Sequence, residues 1–97
     1  MLNILVKLAV KDFELFETFE KQAALIMSKY DGRIISAFEI ARNPDGSGEE
    51  IHILEFPNED TFNRYRADAD LAKLSELRQR AIADTEVQMS VRIKTYF

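Results

Sequence analysis

Residues 2–10, LNILVKLAV, alternate in character. Leu2, Ile4, Val6, Leu8 and Val10 fall on one side; Asn3, Leu5, Lys7 and Ala9 fall on the other. Period two predicts a strand with one fully apolar face. The opposite face is mixed, so partial cover is expected there. From 12 to 30 the spacing changes to three and four. Phe13, Phe16, Phe19, Ala23, Ile26, Met27 and Tyr30 form one stripe, which predicts a helix. Asp12 is suited to cap its start. Glu17 and Lys21 are spaced to pair on its surface. Asp31-Gly32 is suited to end it, with Gly32 in the left-handed conformation.

A second strand is predicted over 33–41, RIISAFEIA. Strict alternation puts Ile34, Ser36, Phe38 and Ile40 on one face and Arg33, Ile35, Ala37 and Glu39 on the other. The proline, aspartate and glycines of RNPDGSGE mark a hairpin loop. Gly46-x-Gly48 is no phosphate cradle, because a strand rather than a helix follows it. The third strand covers 50–56, and Pro57 stops it, having no N–H to give a ladder. Asn58 then caps a second helix, with Glu59 and Asp60 at its positive end. Asp60 and Arg64 are spaced as an i,i+4 pair. RADAD, residues 66–70, breaks that helix. The helical segment LAKLSELRQRAIA follows, with Leu71, Leu74, Leu77, Ala81 and Ile82 as its stripe. Residues 85–97 alternate again, predicting a long fourth strand. Val87, Met89, Val91 and Ile93 face one side of it; Gln88, Ser90, Arg92 and Lys94 face the other.

The order strand, helix, strand, strand, helix, strand defines an α+β ferredoxin-like split β-α-β arrangement. One domain takes in residues 1–97, with four antiparallel strands and both helices on one face of the sheet. The other face has no cover. It is expected to carry Leu5, Ile35, Ala37, Ile51 and Ile53, too apolar a set for water. A second copy of the chain is the natural cover, giving a homodimer through the open sheet face.

Composition narrows the function classes. The chain has 97 residues, 46% hydrophobic and 31% charged, which fits one globular domain with a small core. Its net charge of −4 and lack of a basic stripe argue against nucleic acid and anionic membrane as partners. There is no cysteine, so disulfides, thiolate catalysis and cysteine zinc sites are out. No uncharged run is long enough to cross a bilayer. The apolar start is interrupted by Lys7 and lacks a small-residue cleavage site, so no signal peptide and a cytoplasmic location are expected.

The element order resembles the dimeric alpha/beta-barrel superfamily over nearly the whole length. The nearest local likeness is Glu55-Phe56-Pro57, then Asn58 and a helix bearing Phe62 and Tyr65. These residues resemble a small bacterial branch of that superfamily described only as a domain of unknown function. The resemblance implies a homodimer whose two sheets face each other as a barrel. It also implies a small organic ligand between sheet and helices, as in antibiotic-biosynthesis monooxygenases and muconolactone isomerases. Some relatives hold haem through a histidine. No motif in this chain selects one of those activities.

His52 is the only histidine, and Glu55 lies three residues on. Three residues apart on a strand means opposite faces. The two cannot share a metal, and no other histidine or cysteine completes a set, so neither a metal nor a cofactor is expected. His52 travels with Leu54 and Phe56 toward the helices; it reads as structural, with catalysis the lesser alternative. Glu55 points at the open face. There it either forms an ion pair, with Arg92 or Lys7 as partner, or acts as a general base. Asn3, Gln88 and Arg92 share its face and are placed either to orient an anionic or carbonyl ligand or to line a polar rim. Tyr65 packs as core, with its hydroxyl available to a cleft. The expected function is a cofactor-independent enzyme of oxygenase or isomerase type. Glu55 would be its base, with Asn3, Tyr65 and Arg92 as ligand contacts. The alternatives are a small-ligand-binding or regulatory module and a purely structural dimerisation domain.

Overall fold

The computed structural model describes residues 1–96. It has β1 (Leu2–Val10), α1 (Phe13–Ser28), β2 (Arg33–Arg42), β3 (Gly48–Phe56), α2 (Glu59–Arg66), α3 (Ala69–Ala72), α4 (Ser75–Ala81) and β4 (Ile82–Gln88). The sheet runs β2-β3-β1-β4 and every pairing is antiparallel. This is the expected α+β, ferredoxin-like architecture, with a sheet that does not close on itself. No helix among the described residues is long and apolar enough to cross a membrane.

The alternation of β1 and β3 decides where the core sits. Ile4 pairs with Leu54, Val6 with His52 and Leu2 with Phe56, and these side chains face the helices. Phe13, Phe16, Phe19, Ala23 and Met27 of α1 bury their stripe against them. Phe56 meets Phe62 and Tyr65 of α2 at ring-centroid separations of 5.2 and 5.5 Å, as expected for a strand end tucked under the second helix. Asp12 caps α1 by accepting from the Glu14 and Leu15 amides at 2.9 and 3.2 Å. Asn58 caps α2 in a reciprocal box with Thr61.

Several local expectations are corrected. The left-handed residue after α1 is Asp31, with φ 58°, not Gly32. The Asp31 amide bonds to the Ser28 carbonyl and the Gly32 amide to the Met27 carbonyl, both at 3.2 Å, which makes a Schellman cap. Gly32 is needed for a different reason. A Cβ there would stand 2.3 Å from Cε1 of Phe56. Glu17 pairs with Arg42 at 3.1 Å rather than with Lys21, and Asp60 and Arg64 form no ion pair among the described residues.

β2 departs from strict alternation. Its register against β3 shifts between Ile34 and Ser36 and again between Glu39 and Ala41. Each bulge adds a residue and turns the following side chains over. Ser36 therefore lies opposite Ile53 and Phe38 opposite Ile51, on the open face, while Ala37 turns to the helix side opposite His52. Phe38 is 54% exposed and Ile40 55%.

The fourth strand begins earlier and ends earlier than its sequence predicts. Ile82 and Ala83, read as helix, start β4, which stops at Gln88. Ser90 takes φ 56° and ends the ladder, so residues 91–96 run on without regular structure. Phe97, the last residue of the predicted strand, lies outside the described residues. The helical half before β4 is broken at RADAD as expected and again at Lys73-Leu74.

The Gly32 contact gives a direct test. Gly32→Ala should cost about 1–3 kcal/mol in urea denaturation, because the ring of Phe56 must move out of the core. Asp31→Gly should instead raise stability by up to about 1 kcal/mol, by relieving a left-handed residue that carries a Cβ.

Candidate functional site

The broken helical layer leaves a cavity of about 370 Å³ between itself and the sheet. Val6, Leu8 and Leu54 form the sheet wall, with Phe19 and Met27 from α1 and Phe62 from α2 opposite. Leu71 and Ala72 of α3 and Ser75 of α4 make the roof, and Thr85 and Val87 of β4 line the far side. Five ionisable or phenolic side chains reach this otherwise apolar space: Glu20, His52, Tyr65, Arg66 and Arg78. A mostly apolar cavity with a few convergent polar groups is the usual form of a small-molecule site.

His52 is 3% exposed, held on the helix face of β3 and tilted against Phe16 with centroids 6.0 Å apart. Glu50 precedes it by two residues and so shares its face. The Glu50 Oε2 lies 2.5 Å from His52 Nε2. An ionised carboxylate only accepts, so Nε2 is the donor toward Glu50, and in the neutral ring the lone pair is then on Nδ1. On the Nδ1 side stands Glu20 Oε2, at 3.8 Å, beyond a hydrogen bond. Glu20 reaches this point because it lies four residues after Phe16, on the buried stripe of α1. The two carboxylates flank opposite ring nitrogens and do not converge on one point. Among the described residues no group of three or more carboxylate or imidazole side chains is placed to hold a metal ion.

Burial lifts the Glu20 carboxyl above its ordinary range; the His52 ring opposes this, Glu50 adds to it and Arg78 opposes it. Burial likewise pushes the Tyr65 hydroxyl well up, with the Glu20 charge adding to the shift. Arg78 Nη2 donates to Thr85 Oγ1 at 2.7 Å, tying α4 to β4. Below the roof, Asp68 accepts from the Tyr30 hydroxyl at 2.5 Å and pairs with Lys29 at 3.2 Å. The Tyr30 bond is the main reason its carboxyl is held down to about 2.

The residues singled out from the sequence divide between two faces. His52 and Tyr65 line the cavity, His52 on the helix side as expected and Tyr65 as both core and wall. Glu55 and Asn3 lie directly opposite one another on the open face, with the full thickness of the sheet between them and the cavity. Glu55 Oε1 accepts from Arg33 Nε at 3.0 Å, so its ion pair is made across strands with Arg33. Lys7 goes instead to Glu86, at 3.6 Å. Asn3 Oδ1 is buried with no hydrogen-bond partner among the described residues, while the Asn3 carbonyl accepts from the Val91 amide at 3.0 Å. Arg92 is exposed in the irregular segment after Ser90, because the strand meant to carry it has already ended. Glu20, Glu50 and Arg78 were missed. Glu50 was readable as the residue two before His52, and Glu20 as a charge within an apolar helical stripe.

Fold and cavity together place this chain in the α+β ferredoxin-like class with a sheet–helix cleft. It belongs to the family described as domain of unknown function DUF1330, whose model matches residues 3–96. No curated protein matches it in sequence. Among solved structures it is similar to SnoaB, a cofactor-independent oxygenase from Streptomyces nogalater. That likeness has a TM-score of 0.71 at 12% identity, over 97% of this chain and 94% of the other. It is similar to RPA0582, a protein of unknown function from Rhodopseudomonas palustris, with a TM-score of 0.74 at 13% identity over 97% and 84% of the two chains. An uncharacterized NIPSNAP domain protein from Burkholderia xenovorans gives a TM-score of 0.68 at 12% identity over 96% and 95%. At these identities the likeness establishes the fold.

The raised Glu20 carboxyl has a consequence for stability. The folded state holds this proton to higher pH than the unfolded chain does. Its contribution is therefore fully present below the ordinary value of 4.5 and is lost as pH rises through the raised one. Urea denaturation from pH 4.5 to 7 should show the wild type losing stability relative to Glu20→Gln as pH rises. Parallel curves would remove the buried acid from the account.

Proposed function

We propose that this protein is an enzyme acting on a small organic molecule in the cleft between sheet and helices, without a resident cofactor, with His52 as its general base. The Glu50–His52–Glu20 arrangement at the wall of an apolar cavity carries this reading. Glu50 orients the ring and leaves Nδ1 as the proton acceptor, the division of labour seen in acid–base dyads. Glu20, kept protonated to higher pH by burial, is suited to return a proton as the acid. The substrate is a weak C–H or O–H acid. Loss of its proton to His52 leaves a carbanion or enolate. Reprotonation at a different carbon would be isomerase chemistry; electron transfer from that anion to dioxygen would be oxygenase chemistry. The fold shared with a cofactor-independent oxygenase supports the second outcome. Glu55, assigned as the base from sequence, is on the far side of the sheet and is replaced in this role by His52.

Enolisable carbonyl compounds and hydroxyarenes incubated with the protein in D₂O report the step directly. Proton exchange is followed by NMR and oxygen uptake by electrode. His52→Asn should lower the catalysed rate by about 10²–10⁴-fold with the fold intact by circular dichroism. An unchanged rate in that variant removes His52 from the mechanism. A compound that raises the melting temperature yet is recovered unaltered favours the binding-module reading instead.

We further propose that a second copy covers the open sheet face. Leu5, Phe38, Ile51 and Ile53 make a continuous apolar patch across β1, β3 and β2, and the bulges of β2 enlarge it by turning Phe38 outward. Light scattering at micromolar concentration should give twice the chain mass for the wild type and the single-chain mass for Phe38→Glu. A monomeric wild type sinks this proposal.

A further inference from the structure

The geometry points to an aryl carboxylate, or a similarly flat organic anion, as the ligand of the cavity, with Arg78 as the residue that selects its charge. This deepens the reading of the cavity as the working site and rests on it.

An organic anion approaching this chain meets a net charge of −4, so anion binding needs a dedicated local cation. Two guanidinium groups line the cavity, and neither pairs with a carboxylate among the described residues. Arg66 is already engaged. Its Nη2 donates to Asn63 Oδ1 at 2.6 Å, and its carbon centre sits 4.4 Å above the Phe62 ring. Among the described residues Arg78 spends a single donor, on Thr85 Oγ1 at 2.7 Å. Four N–H groups of its fork remain, in the planar geometry that matches a carboxylate.

Its position suits the role. The bond from α4 to β4 holds the guanidinium on the side of the cavity where Val87, 37% exposed, opens to solvent. His52 and Leu54 lie deeper, at 3% and 5% exposure. An anionic head at Arg78 therefore leaves the ligand body pointing inward. The walls that body meets are Phe19, Phe62 and Tyr65, with Met27 beside them, a set that favours a flat aromatic skeleton through edge, face and sulfur contacts. Glu20 and His52 line the same space.

Glu20 is the one carboxylate lining the space, and in its ionised form it would draw in a cation instead. Burial works against that form. Arg78, more exposed and permanently charged, then sets the sign of the site.

Titration calorimetry with 2-naphthoate, 2-naphthamide and 2-naphthylmethylammonium tests the inference, with benzoate as a smaller probe. The wild type should bind naphthoate at least about tenfold tighter than the amide and the ammonium, a difference of about 1.4 kcal/mol. Arg78→Lys should keep part of that preference, and Arg78→Glu should reverse it in favour of the ammonium. A purely structural Arg78 would lose affinity for all probes alike. Equal affinity for naphthoate and the amide, tighter binding of the ammonium, no binding of either carboxylate, or an unchanged preference in Arg78→Glu would each overturn it. His52→Asn separates this inference from the catalytic proposal. That variant should keep its charge preference for naphthoate within about threefold, because Arg78 is untouched, whether or not turnover depends on His52.

Discussion

The register between β1 and β3 pairs Ile4 with Leu54 and Val6 with His52, and sends all four side chains toward the helices. The same register puts Leu5 opposite Ile53 and Asn3 opposite Glu55 on the other side. Core, cavity and open face all follow from it. A slip of one residue would exchange the faces. It would drive Glu55 under Phe62 and Tyr65 without its Arg33 partner, and it would turn His52 away from Glu20. An unpaired buried carboxylate is costly enough to exclude that arrangement. The aromatic contacts of Phe56 with α2 and its seat against Gly32 fix the end of the strand, so the slip is opposed there as well.

Where the chain keeps a simple period, its structure is legible in the sequence. The stripe of α1, the alternation of β1 and the stop at Pro57 all lie where the spacing puts them. β2 fails because a bulge carries no signal in polarity. Ile34 to Ile40 are nearly all apolar or small, so either face is tolerable until pairing with β3 is known. β4 fails for a related reason. Ile82 completes a helical stripe equally well as it begins a strand, and its pairing with Val10 makes the choice. The candidate site is legible only in part. The lone histidine draws the eye to His52 and Glu55, which the period of a strand separates. Glu50 stands on His52's own face, and Glu20 interrupts an otherwise apolar stripe. What the sequence withholds is which helix packs over His52, since that contact is made between residues more than thirty apart.

The two carboxylates near each end of β3 illustrate opposite uses of charge. Glu55 pairs with an Arg33 side chain that is 69% exposed, in a setting where an ion pair contributes at most about 1 kcal/mol. Glu50 faces a buried imidazole, and Glu20 sits beside an apolar cavity whose desolvation raises its pKa. Placing acids there works against stability, and leucine would fill the same volume without the penalty. Groups held in costly surroundings with complementary partners are characteristic of sites that bind or move protons.

The cavity itself exists because the second helical crossover is not one helix. A continuous helix from Glu59 to Ala81 would lie along the sheet and fill the space with its own side chains. The chain instead turns at Ala67, where Asp68 caps α3 by accepting from the Asp70 and Leu71 amides, and turns again at Lys73-Leu74. Asp68 has a second role, since its other oxygen accepts from Tyr30 and pairs with Lys29 at the end of α1. One side chain therefore both breaks the helix and fastens the resulting roof to the layer below. Arg78 fastens the opposite edge to β4 through Thr85. The roof of short segments is secured at two edges by polar contacts, and Leu71, Leu74 and Leu77 pack it against the core, so apolar burial holds it as well.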